Sequence, residues 1–146
     1  MRSSSMAEIS TLEKEIVEEF SMFDDWMDKY QYIIDMGQEL AAIPAADKTD
    51  DNLVRGCQSQ VWLTADYADN KVSYQADSDA IITKGLIALL VRVLSGQAPD
   101  HILSAPLDFV DEIGIREHLS PTRSNGLNAM IKKMKYIALA HKAKTS

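Results

Sequence analysis

Apolar residues recur at every third or fourth position at both ends of the chain, and at every second position in the middle. Near the start, Leu12, Ile16, Phe20 and Phe23 fall on one side of a helical repeat, with Glu13, Glu15, Glu18 and Glu19 on the others. This spacing predicts an amphipathic helix. Ser10-Thr11-Leu12-Glu13 has the form of a capping box and predicts the helix start there. Asp24 and Asp25 suit the beginning of a second helix, whose core stripe is Trp26, Tyr30, Ile33, Ile34 and Leu40, and Pro44 closes it. Residues 45–52 are polar and read as a loop.

The period then drops to two. Val61, Leu63, Ala65 and Tyr67 alternate with Trp62, Thr64 and Asp66, and Val72, Tyr74 and Ala76 alternate with Ser73 and Gln75. Ala68-Asp69-Asn70 between them suits a tight turn, so the two runs predict a hairpin. Leu53-Val54-Arg55 reads as a third short strand, which would put Gly56-Cys57-Gln58 on a turn. Asp77-Ser78-Asp79 has the side chains of a helix start. The helix over residues 80–94 has only Lys84 and Arg92 as charges, and a helix apolar nearly all round is a central one. Gly96 ends it. Residues 99–113 read as two short helical pieces split at Pro106. Ser120-Pro121 opens a last helix, with Leu127, Met130, Ile131, Met134 and Ala138 inward and Lys132, Lys133 and Lys135 on a solvated face. Helices, a small three-stranded antiparallel sheet, then helices again make the fold class α+β.

Composition narrows the function. The 146 residues are the size of one domain, 46% hydrophobic and 25% charged. Residues 9–146 read as that single domain. Residues 1–8 read as a disordered end or a cloning remnant, with Met6 as a natural start. A net charge of −7 argues against nucleic acid as the main partner. No apolar run reaches a membrane span, and the start lacks the apolar core of a signal peptide, so the expected location is cytoplasmic. The single cysteine forms no internal disulfide. With only His101, His118 and His141 beside it, and none of these at helical i, i+4 spacing, no zinc or iron-sulfur site owned by one chain is expected.

That cysteine lies in Arg55-Gly56-Cys57-Gln58-Ser59-Gln60. A thiolate is the reactive form, and cationic or hydrogen-bonding neighbours favour it. Arg55 supplies charge, Gly56 backbone freedom, and Gln58 a neutral donor. An inert structural thiol is the alternative on these residues alone. Arg123 opposes the helix dipole in the first turn of the last helix. It marks either a site or an ion pair with Asp77 or Asp79. His118 is the one histidine that would serve a Cys-His hydrolase at Cys57.

The stretch from Arg55 to Trp62 resembles the signature of the SufE family of sulfur acceptors in iron-sulfur cluster assembly, a family that includes the CsdE-type proteins. Asp77-Ser78-Asp79-Ala80-Ile81-Ile82-Thr83-Lys84-Gly85-Leu86-Ile87-Ala88 is similar to a second block of that family, and Leu119-Ser120-Pro121-Thr122-Arg123-Ser124-Asn125-Gly126-Leu127 to a third. The resemblance implies an α+β fold similar to that of IscU-type scaffolds. It implies that Cys57 takes the outer sulfur of a persulfide from a SufS/CsdA-like cysteine desulfurase, stimulates that enzyme, and hands the sulfur to a cluster-scaffold protein. Arg55, Gly56 and Gln58 would support the cysteine, and Asp79 and Arg123 would organise it or the docking surface. Pyridoxal phosphate would belong to the desulfurase, so no cofactor or metal is expected in this chain. Such a protein is a partner in transpersulfidation rather than a stand-alone enzyme. An adaptor that activates the desulfurase by contact, with Cys57 incidental, is the alternative. The sequence leaves a homodimer open.

Overall fold

The computed structural model describes residues 6–40, 43–54 and 60–145. Helix α1 spans Met6–Ser21 and α2 spans Trp26–Glu39. Short 3-10 turns at Ala45–Asp47 and Asp50–Asn52 lead to strands β1 (Val61–Ala68) and β2 (Lys71–Ser78). Helices α3 (Ile81–Leu94), α4 (Pro99–Ser104) and α5 (Phe109–Glu112) follow. A 3-10 turn at Ile115–His118 then precedes the long α6 (Pro121–Thr145).

Two expected starts move. The first helix begins at Met6, so Ser10 lies inside it, and the capping-box motif caps nothing. The helix also takes in residues 6–8, which the sequence pattern assigned to a disordered end. The start of α3 moves the other way, because Asp77 and Ser78 complete β2. Strand pairing claims them: Val61 is opposite Ser78 and Trp62 opposite Asp77. The Ser78 hydroxyl still accepts the Ala80 N–H at 3.2 Å. The expected start of α2 holds, since Asp25 caps it by accepting the Asp28 N–H at 2.9 Å.

The sheet has two strands among the described residues, not three. Leu53 forms an isolated antiparallel bridge to Trp62, and the Val54 N–H donates to the Val61 carbonyl at 2.8 Å. Leu53 and Val54 of the expected third strand are thus in pairing position without forming a strand, and its last residue, Arg55, lies outside the described residues. The hairpin turn fits its residues, because Asp69 and Asn70 both take positive φ, 55° and 61°. Asn and Asp tolerate that region best among non-glycine residues.

The core lies between the helices and one face of the hairpin. Along β2, Val72, Tyr74 and Ala76 are buried and Lys71, Ser73 and Gln75 exposed, as the period of two requires. Helix α3 is the hub, burying Leu86, Ile87, Leu89, Leu90, Val93 and Leu94. It meets α2 in a close approach of the two backbones at Gly37 and Gly85. A Cβ on Gly37 would sit 2.8 Å from the Gly85 nitrogen, and one on Gly85 would fall on the Ile33 carbonyl. The last helix packs on α4 and α3 and touches the hairpin at two points. The Tyr74 hydroxyl donates to the Met134 carbonyl at 2.6 Å, and Tyr67 stacks on His141 at 4.9 Å. Because Tyr67 is nearer the hairpin turn than Tyr74, α6 runs toward that turn, and its first turns point to the opposite end.

Candidate functional site

Opposite the hairpin turn, β1 begins and β2 ends, and residues 55–59 join Val54 to Gln60. Arg55, Gly56, Cys57 and Gln58 lie outside the described residues, but both flanks of their segment are described. On one side Val54 is buried, at 5% exposure, and bonded to Val61. On the other, Gln60 is held by consecutive residues of the β2–α3 corner. Its N–H donates to the Asp79 carboxylate at 3.1 Å. Its carbonyl accepts the Ser78 hydroxyl at 2.9 Å and the Asp79 N–H at 3.3 Å. Asp79 thus binds the end of the cysteine segment through both its side chain and its backbone. An Asp is suited to this, since a charged acceptor makes a stronger bond to an amide than a neutral one.

Beneath this end lies a charge cluster that the sequence pattern does not reveal. Asp77, 4% exposed, is the last paired residue but one of β2. Its carboxylate meets Lys48 Nζ and Lys84 Nζ, each at 3.3 Å, and accepts the Ser78 N–H at 2.8 Å. Burial works to raise the Asp77 pKa. The Ser78 amide and the Lys84 and Lys48 ammoniums outweigh it and hold the carboxyl below its ordinary range. Lys48 also lies over the Trp62 ring at 5.2 Å, where the π face attracts a cation. One buried carboxylate therefore ties the segment before Leu53 to the end of the sheet and the first turns of α3. Nothing local marks Lys48, which comes from a loop.

Arg123 is exposed in the first turn of α6, and its N–H donates to the Ser120 hydroxyl at 3.2 Å, which confirms Ser120 as the cap. The expected alternative, an Arg123 ion pair with Asp77 or Asp79, does not describe those acids. Asp77 meets the two lysines and Asp79 accepts the Gln60 N–H, and neither pairs with Arg123 among the described residues. His118 stacks on Trp26 at 3.8 Å, and its carbonyl accepts the Tyr30 hydroxyl, which engages it with α2. No group of three or more His, Cys, Asp or Glu side chains able to hold a metal ion occurs among the described residues. No helix among them is long and apolar enough to cross a membrane.

The fold and the paired ends of the cysteine segment define an α+β protein whose one thiol falls between a strand bridge and a helix-entry corner. Comparison with known proteins specifies the family. Residues 14–138 match the SufE family, described as an Fe-S metabolism associated domain, and the chain belongs to it. An uncharacterized SufE-like protein of Rhizobium meliloti is 39% identical over 126 residues, covering 83% of this chain and 90% of that protein. One from Synechocystis sp. is 40% identical over 125 residues, covering 86% and 79%. SufE-like protein 1 of Arabidopsis thaliana, which is chloroplastic/mitochondrial, is 42% identical over 127 residues, covering 86% of this chain and 34% of the plant protein. The solution structure of a hypothetical protein from Thermus thermophilus superimposes with a TM-score of 0.74 at 24% identity, covering 92% of this chain and 97% of that one. The fold neighbour supports the α+β architecture.

Proposed function

We propose that this protein is a sulfur acceptor and carrier, and that Cys57 is the atom-bearing residue. The observation that carries the reading is membership of the SufE family by a chain with a single cysteine. In the proposed step the Cys57 thiolate attacks the outer sulfur of a cysteine desulfurase persulfide. The sulfur–sulfur bond of the donor breaks, the donor cysteine leaves as thiolate, and a new sulfur–sulfur bond forms on Cys57. No electron acceptor is needed, because one persulfide replaces another. The reverse chemistry, with a cluster scaffold as nucleophile, unloads it. Pyridoxal phosphate stays in the desulfurase, and this chain needs no cofactor or metal of its own. The cytoplasm is the proposed location.

Thiolate, not thiol, is the competent form, so groups that favour the anion assist loading. Arg55 is proposed for that role, with Gly56 and Gln58 shaping the segment. Asp79 is proposed as the residue that orders it, through its bonds to Gln60, and Arg123 as a docking residue. Incubation with a cysteine desulfurase and free cysteine, followed by intact mass spectrometry, tests the reading. The expected result is a gain of one sulfur atom by the wild type, none by Cys57→Ser, and loss of desulfurase stimulation in that variant. Stimulation that survives in Cys57→Ser would replace the carrier reading by that of an adaptor.

A further inference from the structure

The chain is acidic, but its charge is unevenly distributed. Helix α6 contains Arg123, Lys132, Lys133, Lys135, Lys142 and Lys144 and no Asp or Glu. These are six of the 15 basic residues, so the other nine face all 22 acids, a balance of −13 outside one helix of +6. The lysine run, read from the sequence as a solvated face, divides in the structure. Lys135 is a structural residue: its Nζ reaches the Ala105 carbonyl at 2.6 Å and caps the end of α4. Lys142 pairs with Asp100 at 2.6 Å. Lys132 and Lys133 pair with no carboxylate among the described residues, and Lys133 lies 5.7 Å over the ring of Tyr136.

Tyr136 is 63% exposed and Leu139 50%. At spacings of four and three, Lys132, Tyr136 and Leu139 share one outer face of the helix. Opposite them Met130, Met134 and Ala138 fill the core, so the helix is already seated and its outer face is surplus to folding. An aromatic and an aliphatic anchor flanked by cations is a composition suited to a protein interface.

We propose that the outer face of α6 is a docking stripe for an acidic surface of the cysteine desulfurase that loads this protein, with Tyr136 and Leu139 as apolar anchors and Lys132 and Lys133 as the charges that select the partner. The identity of the partner rests on the sulfur-acceptor reading. Charge complementarity chooses the occupant, since a cationic stripe on an otherwise acidic molecule attracts carboxylates while the rest of the surface repels them.

The test measures binding of the full chain to desulfurase by calorimetry across a range of salt, beside sulfur loading by mass spectrometry. Lys132→Glu/Lys133→Glu is expected to weaken the Kd by about tenfold or more at low salt, and wild-type binding to weaken as salt rises. Tyr136→Ser/Leu139→Ser weakens it at every salt concentration. The single variant Lys132→Glu, at an exposed position, keeps the fold and shows a smaller loss. At saturating desulfurase the charge variants still load Cys57. If wild type loads sulfur and all the variants bind as it does, the stripe is wrong and the carrier reading stands. If wild type neither binds nor loads, both fall. Charge-reversible self-association in sedimentation, or charge-reversible binding of a DNA or RNA oligonucleotide with desulfurase binding unchanged, would assign the face to a second copy or to nucleic acid and overturn the proposal.

Discussion

Two junctions hold α3 in place, and they are built on opposite principles. Where α2 crosses α3, Gly37 and Gly85 bring two backbones into contact, and the junction depends on the absence of atoms. Where β2 turns into α3, Asp77, Lys48 and Lys84 meet, and the junction depends on charges in a place largely closed to water. Both fix the start of α3. The first is insensitive to pH and salt and has no room to adjust, since packed backbone does not yield. The second adjusts, because Lys48 and Lys84 are partly exposed and keep part of their hydration. A steric junction is broken by one methyl group, whereas an ionic one is weakened by degrees.

The largest effect is expected at the crossing. Gly85→Ala places a methyl on the Ile33 carbonyl. Overpacking of this kind costs about 3 kcal/mol or more, because neither helix backbone gives way locally. Thermal unfolding should show the loss at all salt concentrations, with Gly37→Ala less severe. Should Gly85→Ala melt like wild type, the helices separate more easily than the contact implies.

Asp77→Asn comes next. It keeps the shape and an acceptor but removes the charge facing two ammoniums, at a cost of about 1–3 kcal/mol. The carboxyl is held below its ordinary range. Its contribution is therefore present above the unfolded pKa and lost as pH falls through the folded one. The stability gap between wild type and Asp77→Asn in urea titrations should be full at neutral pH and should close on acidification below about pH 4. A gap that stays constant with pH would mean that the loss is one of shape rather than charge.

Glu13 sharpens the contrast with the opposite sign. It is buried in α1, accepts the Phe109 N–H at 3.3 Å, and has no cation among its pKa-setting neighbours. Burial, with the Asp108 and Glu112 carboxylates acting in the same direction, raises its pKa above the ordinary 4.5, and the amide bonds offset only part of this. A raised carboxyl pKa means that ionisation costs stability. The cost is absent below the unfolded pKa and grows as pH rises through the folded one. Glu13→Gln, which keeps an acceptor for Phe109, should equal or exceed wild type in stability at neutral pH and lose that advantage near pH 4. A variant weaker than wild type at neutral pH would show that the carboxylate has a compensating partner.

Asp79→Ala should have the smallest effect on stability, under about 1 kcal/mol. Asp79 is exposed, and the Gln60 carbonyl keeps its bonds to the Ser78 hydroxyl and the Asp79 N–H. Chemical denaturation measures it. A loss comparable with that of Asp77→Asn would place the anchoring of Gln60 in the folding core rather than at its edge.

Much of this architecture is local, and local features are legible in a sequence. The hairpin follows from period two and from Asp69-Asn70, which accept positive φ. The start of α2 follows from Asp25, the break between α4 and α5 from Pro106, and the start of α6 from Ser120-Pro121. The burial of α3 follows from its lack of charges. Cys57 was identified by the family resemblance and by being the single cysteine, and its surroundings lie outside the described residues. Local signals misled where tertiary partners outcompeted them. The capping box lost to a helix already begun at Met6, and Asp77 and Ser78 went to strand pairing before they could start a helix.

What the tertiary structure alone decided has one feature in common: its partners are far apart in sequence. Asp77 takes Lys48, Gln97 reaches Glu8 at 3.3 Å, Glu13 meets Phe109, and Gly37 meets Gly85. Periodicity tells which face of an element turns inward, because that depends on neighbours a few residues away. It does not tell which element is met there, because that depends on how the helices and the hairpin share a single core. The sequence by itself determined the elements, the one thiol and the basic character of the last helix. Packing decided that Lys135 would cap α4 while Lys132 and Lys133 stayed on an outer face, since the position of α4 beside α6 gives Lys135 a carbonyl to bind and, among the described residues, gives the other two none.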